Sequence, residues 1–129
     1  MAAVTVGTLH PCAPPAYEVN DKGQAAVAIT KGNLLVITNA TPGSGFRRVW
    51  DKAPTTTTDA HGIALMDAAA GGTVSVGIQG EMAGYSGLVP GNPLYPSASV
   101  AGGIDTSKPA GALERIRAID AETIRFSFV

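Results

Sequence analysis

Thr73-Val74-Ser75-Val76-Gly77-Ile78-Gln79-Gly80-Glu81-Met82 alternates apolar and polar side chains with unusual regularity. In an extended strand, successive side chains point to opposite faces. Val74, Val76 and Ile78 therefore share one face, and Ser75 and Gln79 share the other. This is the signature of a β-strand covered on one side, and the segments around it extend the same reading.

Upstream, Ala68-Ala69-Ala70-Gly71-Gly72 reads as a turn, and His61-Gly62-Ile63-Ala64-Leu65-Met66 as a strand ending at Asp67. Residues 63–70 also fit two turns of helix. Leu34-Leu35-Val36-Ile37 is a continuous apolar run between turn residues, as expected of a strand covered on both faces. Ahead of it, Ala25 to Ile29 alternates, with Ala25, Val27 and Ile29 on one face, and Thr30 to Asn33 forms a hairpin-type connection. Phe46 to Trp50 is compatible with a short strand, Pro54 to Asp59 with an extended loop, and Leu94-Tyr95 with a strand between turns.

At the C-terminal end, Thr123-Ile124-Arg125-Phe126-Ser127-Phe128 places Ile124, Phe126 and Phe128 on one face. Residues 112–119 contain good helix formers with Leu113, Ile116 and Ile119 at spacings of three, yet Ile116-Arg117-Ala118 suits a strand equally well. The strand reading is preferred. Short strands punctuated by turns predict an all-β domain, barrel-like or sandwich-like, and the absence of a βαβ rhythm argues against a nucleotide-binding parallel sheet.

The 129 residues suit one domain, with scaling relations burying about two thirds of the unfolded surface. Apolar residues make up 45% of the chain, but only three Phe, three Tyr and one Trp are aromatic, so the core is expected to be thin and built from small side chains. Sixteen Gly and nine Pro favour turns over long helices. Net charge is −1, which lacks the concentrated positive field of a nucleic-acid binder. Charged residues are only 15% of the total, a low figure that suggests part of the surface is covered by a partner. Cys12 is the single cysteine, so no internal disulfide is expected. Neither a signal-peptide pattern nor an apolar run of membrane-spanning length is present, so synthesis in the cytosol and no membrane association are expected.

Residues 1–24 read as an extended N-terminal arm ahead of a β-rich core at 25–129, itself interrupted by a loop insertion at 41–60. Pro11, Pro14 and Pro15 oppose helix and weaken ladder pairing, while Val4, Val6, Leu9 and Tyr17 give the arm apolar surface to bury. These seven are the candidate partner-binding residues.

Chemistry is hard to find. Gly84-Tyr85-Ser86-Gly87-Leu88 departs from a nucleophile elbow at position 88, and neither His10 nor His61 is placed to activate Ser86. Gly43-Ser44-Gly45-Phe46-Arg47-Arg48 offers amides and arginines for a phosphate but lacks the Lys-Ser/Thr of a P-loop. His10, Cys12 and His61 fall short of the four ligands of a structural zinc site, and the acids Asp51, Asp59, Asp67 and Glu81 are scattered. No catalytic, cofactor or metal residue is assigned, and a non-enzymatic protein is expected.

The order of turns and strands carries a resemblance. Lys31-Gly32-Asn33-Leu34-Leu35-Val36-Ile37 is followed by His61-Gly62-Ile63-Ala64 and then by Asp67 to Val76. Gly80, Pro90-Gly91-Asn92-Pro93-Leu94-Tyr95, Gly102-Gly103-Ile104-Asp105-Thr106 and Thr123-Ile124-Arg125-Phe126 complete the series. Over roughly residues 25–129 this resembles the small capsid decoration (cement) proteins of tailed bacteriophages. The resemblance implies a β-tulip or β-barrel-like core, homotrimers, and binding to the outer capsid surface, where neighbouring major capsid proteins are bridged. It carries no catalytic residue with it, and the segment 41–60 has no place in the pattern. The rival reading is a β-rich module of a tail fibre or host-recognition protein, with Trp50, Tyr85 and Tyr95 as candidate glycan contacts. A small hydrolase would require a deep polar pocket.

Overall fold

A computed structural model describes residues 4–11 and 19–128. Among these residues all the regular elements are strands, as the alternation predicted. They are β1 (Thr5–Pro11), β2 (Val19–Ala25), β3 (Leu34–Ile37), β4 (Val49–Lys52), β5 (Gly62–Ala64), β6 (Thr73–Ser86), β7 (Pro93–Pro96), β8 (Ile104–Asp105), β9 (Ile116–Ala118) and β10 (Thr123–Ser127).

The sheet is organised around β6, the longest strand. Its first half pairs antiparallel with β5 and β2, with Ile63 opposite Gly77 and Asp21 opposite Val76. β2 in turn pairs parallel with β4, β4 with β3, and β3 with β5, so the pairings β2–β4–β3–β5–β6–β2 form a closed circuit. The second half of β6 pairs with β10 on one side and β1 on the other. From β10 the ladder continues through β9 and β7 to β8. There the amide of Val4 donates to the carbonyl of Ile104 at 3.3 Å, bringing the start of β1 back against β8.

Two cores follow from this arrangement. One gathers Leu9, Leu34, Ile63, Met82, Tyr85, Leu94, Ile116, Ile124 and Phe126 among others. The other gathers Ala25, Ile29, Leu35, Trp50, Ala64, Val74 and Val76. β3 and β5 are the wall between them: Leu34 and Ile63 face the first core, Leu35 and Ala64 the second. A strand with apolar groups on both sides needs two apolar faces to meet, which is why this run does not alternate. The run ends early: Ile37 is exposed.

Two expectations change. Ala25 to Ile29 is not a continuous strand. β2 ends at Ala25, the chain bends, and Ile29 rejoins through an isolated bridge in which Ile29 and Ala68 exchange hydrogen bonds of 2.8 and 2.9 Å. Ala26, Val27 and Ala28 bury too little to hold a ladder, and Val27, read on one face with Ala25 and Ile29, is exposed while those two are buried. The strand reading of His61 to Met66 holds in shortened form, as β5, and the helical alternative at 63–70 does not form, since the Ile29 bridge takes the backbone of Ala68. The strand predicted at Phe46 to Trp50 lies later, at Val49–Lys52, because the Phe46 amide closes a turn on the Gly43 carbonyl at 3.1 Å. For 112–119 the strand reading holds, as β9.

Candidate docking surface

The segment read as an arm is extended in its described part, and it pairs within the chain. β1 lies antiparallel to β6, with Thr5 opposite Ser86 and Pro11 opposite Met82. β1 and β6 approach so closely that a β-carbon on Gly7 would stand 2.7 Å from the Gly84 carbonyl oxygen. Of the seven candidate partner-binding residues, Leu9 is buried in the first core, Val4 packs half-buried against it, and Val6 is 54% exposed. Pro11 closes β1. Pro14, Pro15 and Tyr17 lie outside the described residues.

Val4, Val6 and Leu9 line a groove of about 280 Å³, completed by the turn at Thr30 to Asn33 and by residues 97–104. Its far lip is rigid by construction. The Ser97 hydroxyl accepts hydrogen bonds from the amides of Ser99 and Val100, both at 3.1 Å, and the Gly103 amide donates to the Val100 carbonyl at 2.9 Å. Gly102 is clamped to the walls of the fold: its amide donates to Ala53 and its carbonyl accepts from Leu34, each at 2.8 Å. The effect is to hold Val100 outward, 56% exposed. Lys31 is the only charged side chain among the described lining residues. At the base, the Tyr85 hydroxyl points to the Met82 Sδ at 3.8 Å, and burial pushes the phenol well above its ordinary pKa, so it stays neutral. Sequence reasoning named Val4, Val6 and Leu9 as apolar residues of an arm, with no groove in view. It missed Val100, which belongs to a loop with no periodicity.

The candidate reactive groups do not converge. His61 Nδ1 accepts the Ile37 amide at 2.9 Å, Ser86 closes β6 on the surface, and no hydrogen bond joins them. Each of the scattered acids has a structural partner. Asp51 accepts the Lys52 amide and Asp67 the Lys31 amide, both at 2.7 Å, while Asp59 pairs with Arg115 at 3.0 Å and Glu81 with Arg125 at 2.7 Å. Among the described residues no three His, Cys, Asp or Glu side chains gather into a metal-binding group; Cys12 is outside them. In the Gly43–Arg48 loop, the Gly43 amide is taken by Gln24 Oε1 at 2.8 Å and the Phe46 amide by the Gly43 carbonyl at 3.1 Å. Neither amide is open to a phosphate. Trp50, Tyr85 and Tyr95 are all buried, so none of them presents a stacking face to a glycan.

No family model matches the chain, and no curated protein matches it.

Proposed function

We propose that the chain is a structural protein that decorates a bacteriophage head, binding the outer capsid surface and bridging neighbouring major capsid proteins. The supporting observation is the groove between β1 and residues 97–104. It is apolar, rigidly framed, and flanked by Val6 and Val100, both more than half exposed. A lone exposed valine is ordinary on a protein surface; two on the lips of one apolar groove support the reading of a covered surface.

In this reading the domain is of the β-tulip kind and acts as a homotrimer. Partner binding shifts the shell toward the decorated state by mass action, about 2.7 kcal/mol per site at a hundredfold excess over Kd. Three equivalent grooves engaging one lattice position add avidity without new contact types.

The test is co-sedimentation of the purified protein with expanded, undecorated capsids, with light-scattering mass measured in parallel. Saturable binding at a fixed ratio to major capsid protein, by a trimer, is the expected result. A protein that stays monomeric and remains in the supernatant at every concentration defeats the proposal.

A further inference from the structure

Four of the five arginines are held by carboxylates: Arg48 by Asp21, Arg115 by Asp59, Arg117 by Glu114 and Arg125 by Glu81. Arg47 is the exception among the described residues. It lines a concave surface of about 860 Å³ together with Lys22, which likewise has no carboxylate partner. The one acid among the described lining residues, Asp21, already has its charge matched by Arg48. Among the described lining residues two positive charges, on Lys22 and Arg47, are therefore uncompensated. Asn20, Thr73 and Ser75 supply amide and hydroxyl groups to the same lining, and the half-buried Phe46 supplies an aromatic ring.

The loop that brings Arg47 and Phe46 here is fixed at both ends. Gln24 receives the Gly43 amide at 2.8 Å while its own Nε2 donates to the Gly71 carbonyl at 3.1 Å, and Arg48 is tied to Asp21. A site whose groups are already positioned loses less entropy when a ligand arrives.

We propose that this concavity binds an acidic saccharide. Its carboxylate or sulfate sits on Arg47 and Lys22, its hydroxyls meet Asn20, Thr73 and Ser75, and Phe46 covers an apolar ring face. Guanidinium and ammonium groups favour oxyanions through charge-assisted hydrogen bonds. Other anions suit the surface less well. A lone phosphate would meet the two charges but leave the Thr73 and Ser75 hydroxyls and the Phe46 ring uncontacted. An acidic peptide adding as a strand would find the facing edges of β2 and β6 already paired to each other, from Val19–Gln79 to Gln24–Thr73.

The experiment is calorimetric titration of the full chain with an oligogalacturonate, a neutral oligogalactose of the same length, and inorganic phosphate, at low and high salt. The expected result is binding of the acid alone, weakened by salt, with Arg47→Ala and Lys22→Ala each reducing affinity about tenfold. Lys108→Ala, an exposed cation elsewhere, should leave affinity unchanged, and unaltered melting curves show that the variants fold. Equal affinity for the neutral oligomer overturns the proposal, as do phosphate binding as tight as the acid, undiminished binding by Arg47→Ala, or no binding at millimolar ligand. Capsid co-sedimentation by Arg47→Ala reads the decoration function separately, since its groove shares no lining residue with this surface.

Discussion

Leu34 and Leu35 are chain neighbours, both fully buried, whose side chains belong to different hydrophobic cores. Adjacent residues of a strand point to opposite faces, so β3 serves as the wall between the cores. Leu34→Ala and Leu35→Ala should each destabilise by about 2–5 kcal/mol, the usual range for emptying a buried leucine site. Because the two side chains share no core, the double variant should lose the sum to within about 0.5 kcal/mol. Urea unfolding of the three variants measures this. A large departure from the sum would mean that the two clusters act as one.

Gly84 lets β1 lie on β6. Its φ is +110°, and a β-carbon there would sit 2.7 Å from Leu9 Cα and collide with the Thr8 carbonyl. Gly84→Ala therefore combines backbone strain with a clash against main chain, which cannot swing aside as a side chain can. Gly91 is the control, with a φ of +86° and nothing within 4 Å of the added carbon. Gly91→Ala should cost about 1–2 kcal/mol, whereas Gly84→Ala should cost more than about 3 kcal/mol and strip hydrogen-exchange protection from β1.

The legible parts of the fold are those whose physics is local. Val74 and Val76 could be placed inward because a half-covered strand must alternate, and Leu34-Leu35 could be placed between two apolar faces because it does not. Ala25 to Ile29 misled because alternation among alanines encodes little burial energy; the bend after Ala25 is set by Trp50 and Gly72, whose carbonyls accept the Ala26 and Ala25 amides. Two features needed the tertiary structure. Val100 becomes a lip of the groove only through the Ser97 turn, and Arg47 meets Lys22 only because the 43–48 loop folds onto β2. Neither juxtaposition leaves a periodic trace in the sequence.

Trp50 is buried with no exposed surface, and its Nε1–H has no hydrogen-bond partner. It fits because position 23 is glycine: a β-carbon there would stand 2.7 Å from Nε1 and 2.9 Å from the Arg48 carbonyl oxygen. Gly23→Ala should destabilise by about 2 kcal/mol or more through overpacking. Trp50→Phe removes both the unpaired donor and the crowded edge of the indole, so the same alanine should cost less in that background. A coupling of about 1 kcal/mol or more in the double-mutant cycle is expected. Identical costs in the two backgrounds would place the strain elsewhere.

The β9–β10 turn gives a pH-dependent prediction. The Glu122 amide, donating to Asp120 Oδ1 at 2.8 Å, and then the Thr123 hydroxyl and amide, hold the Asp120 carboxyl below its ordinary pKa. A carboxyl whose pKa is lower when folded stabilises the protein above its unfolded pKa of about 3.9, and this contribution disappears as pH falls through the folded value. Asp120→Ala should therefore melt earlier than the parent at pH 7, and the gap should narrow on acidification below about pH 4. Carbon-detected NMR titration reads the pKa directly, and a carboxyl titrating at or above its ordinary value would contradict the assignment.

Val6 and Val100 separate docking from folding. Both are more than half exposed, so Val6→Asp and Val100→Asp remove little buried area and should change unfolding free energy by no more than about 0.5 kcal/mol. If the groove between them is covered in the assembled shell, each aspartate buries a carboxylate where Lys31 is the only charge among the described lining residues, and a desolvated, poorly matched charge costs several kcal/mol. Co-sedimentation with expanded capsids should then fall by at least about a hundredfold in affinity, while the melting curves stay with the parent. Leu113→Asp, at a half-exposed position outside the groove, should bind as the parent does. If the two groove variants bind capsids normally while remaining folded, the contact surface lies elsewhere on the domain.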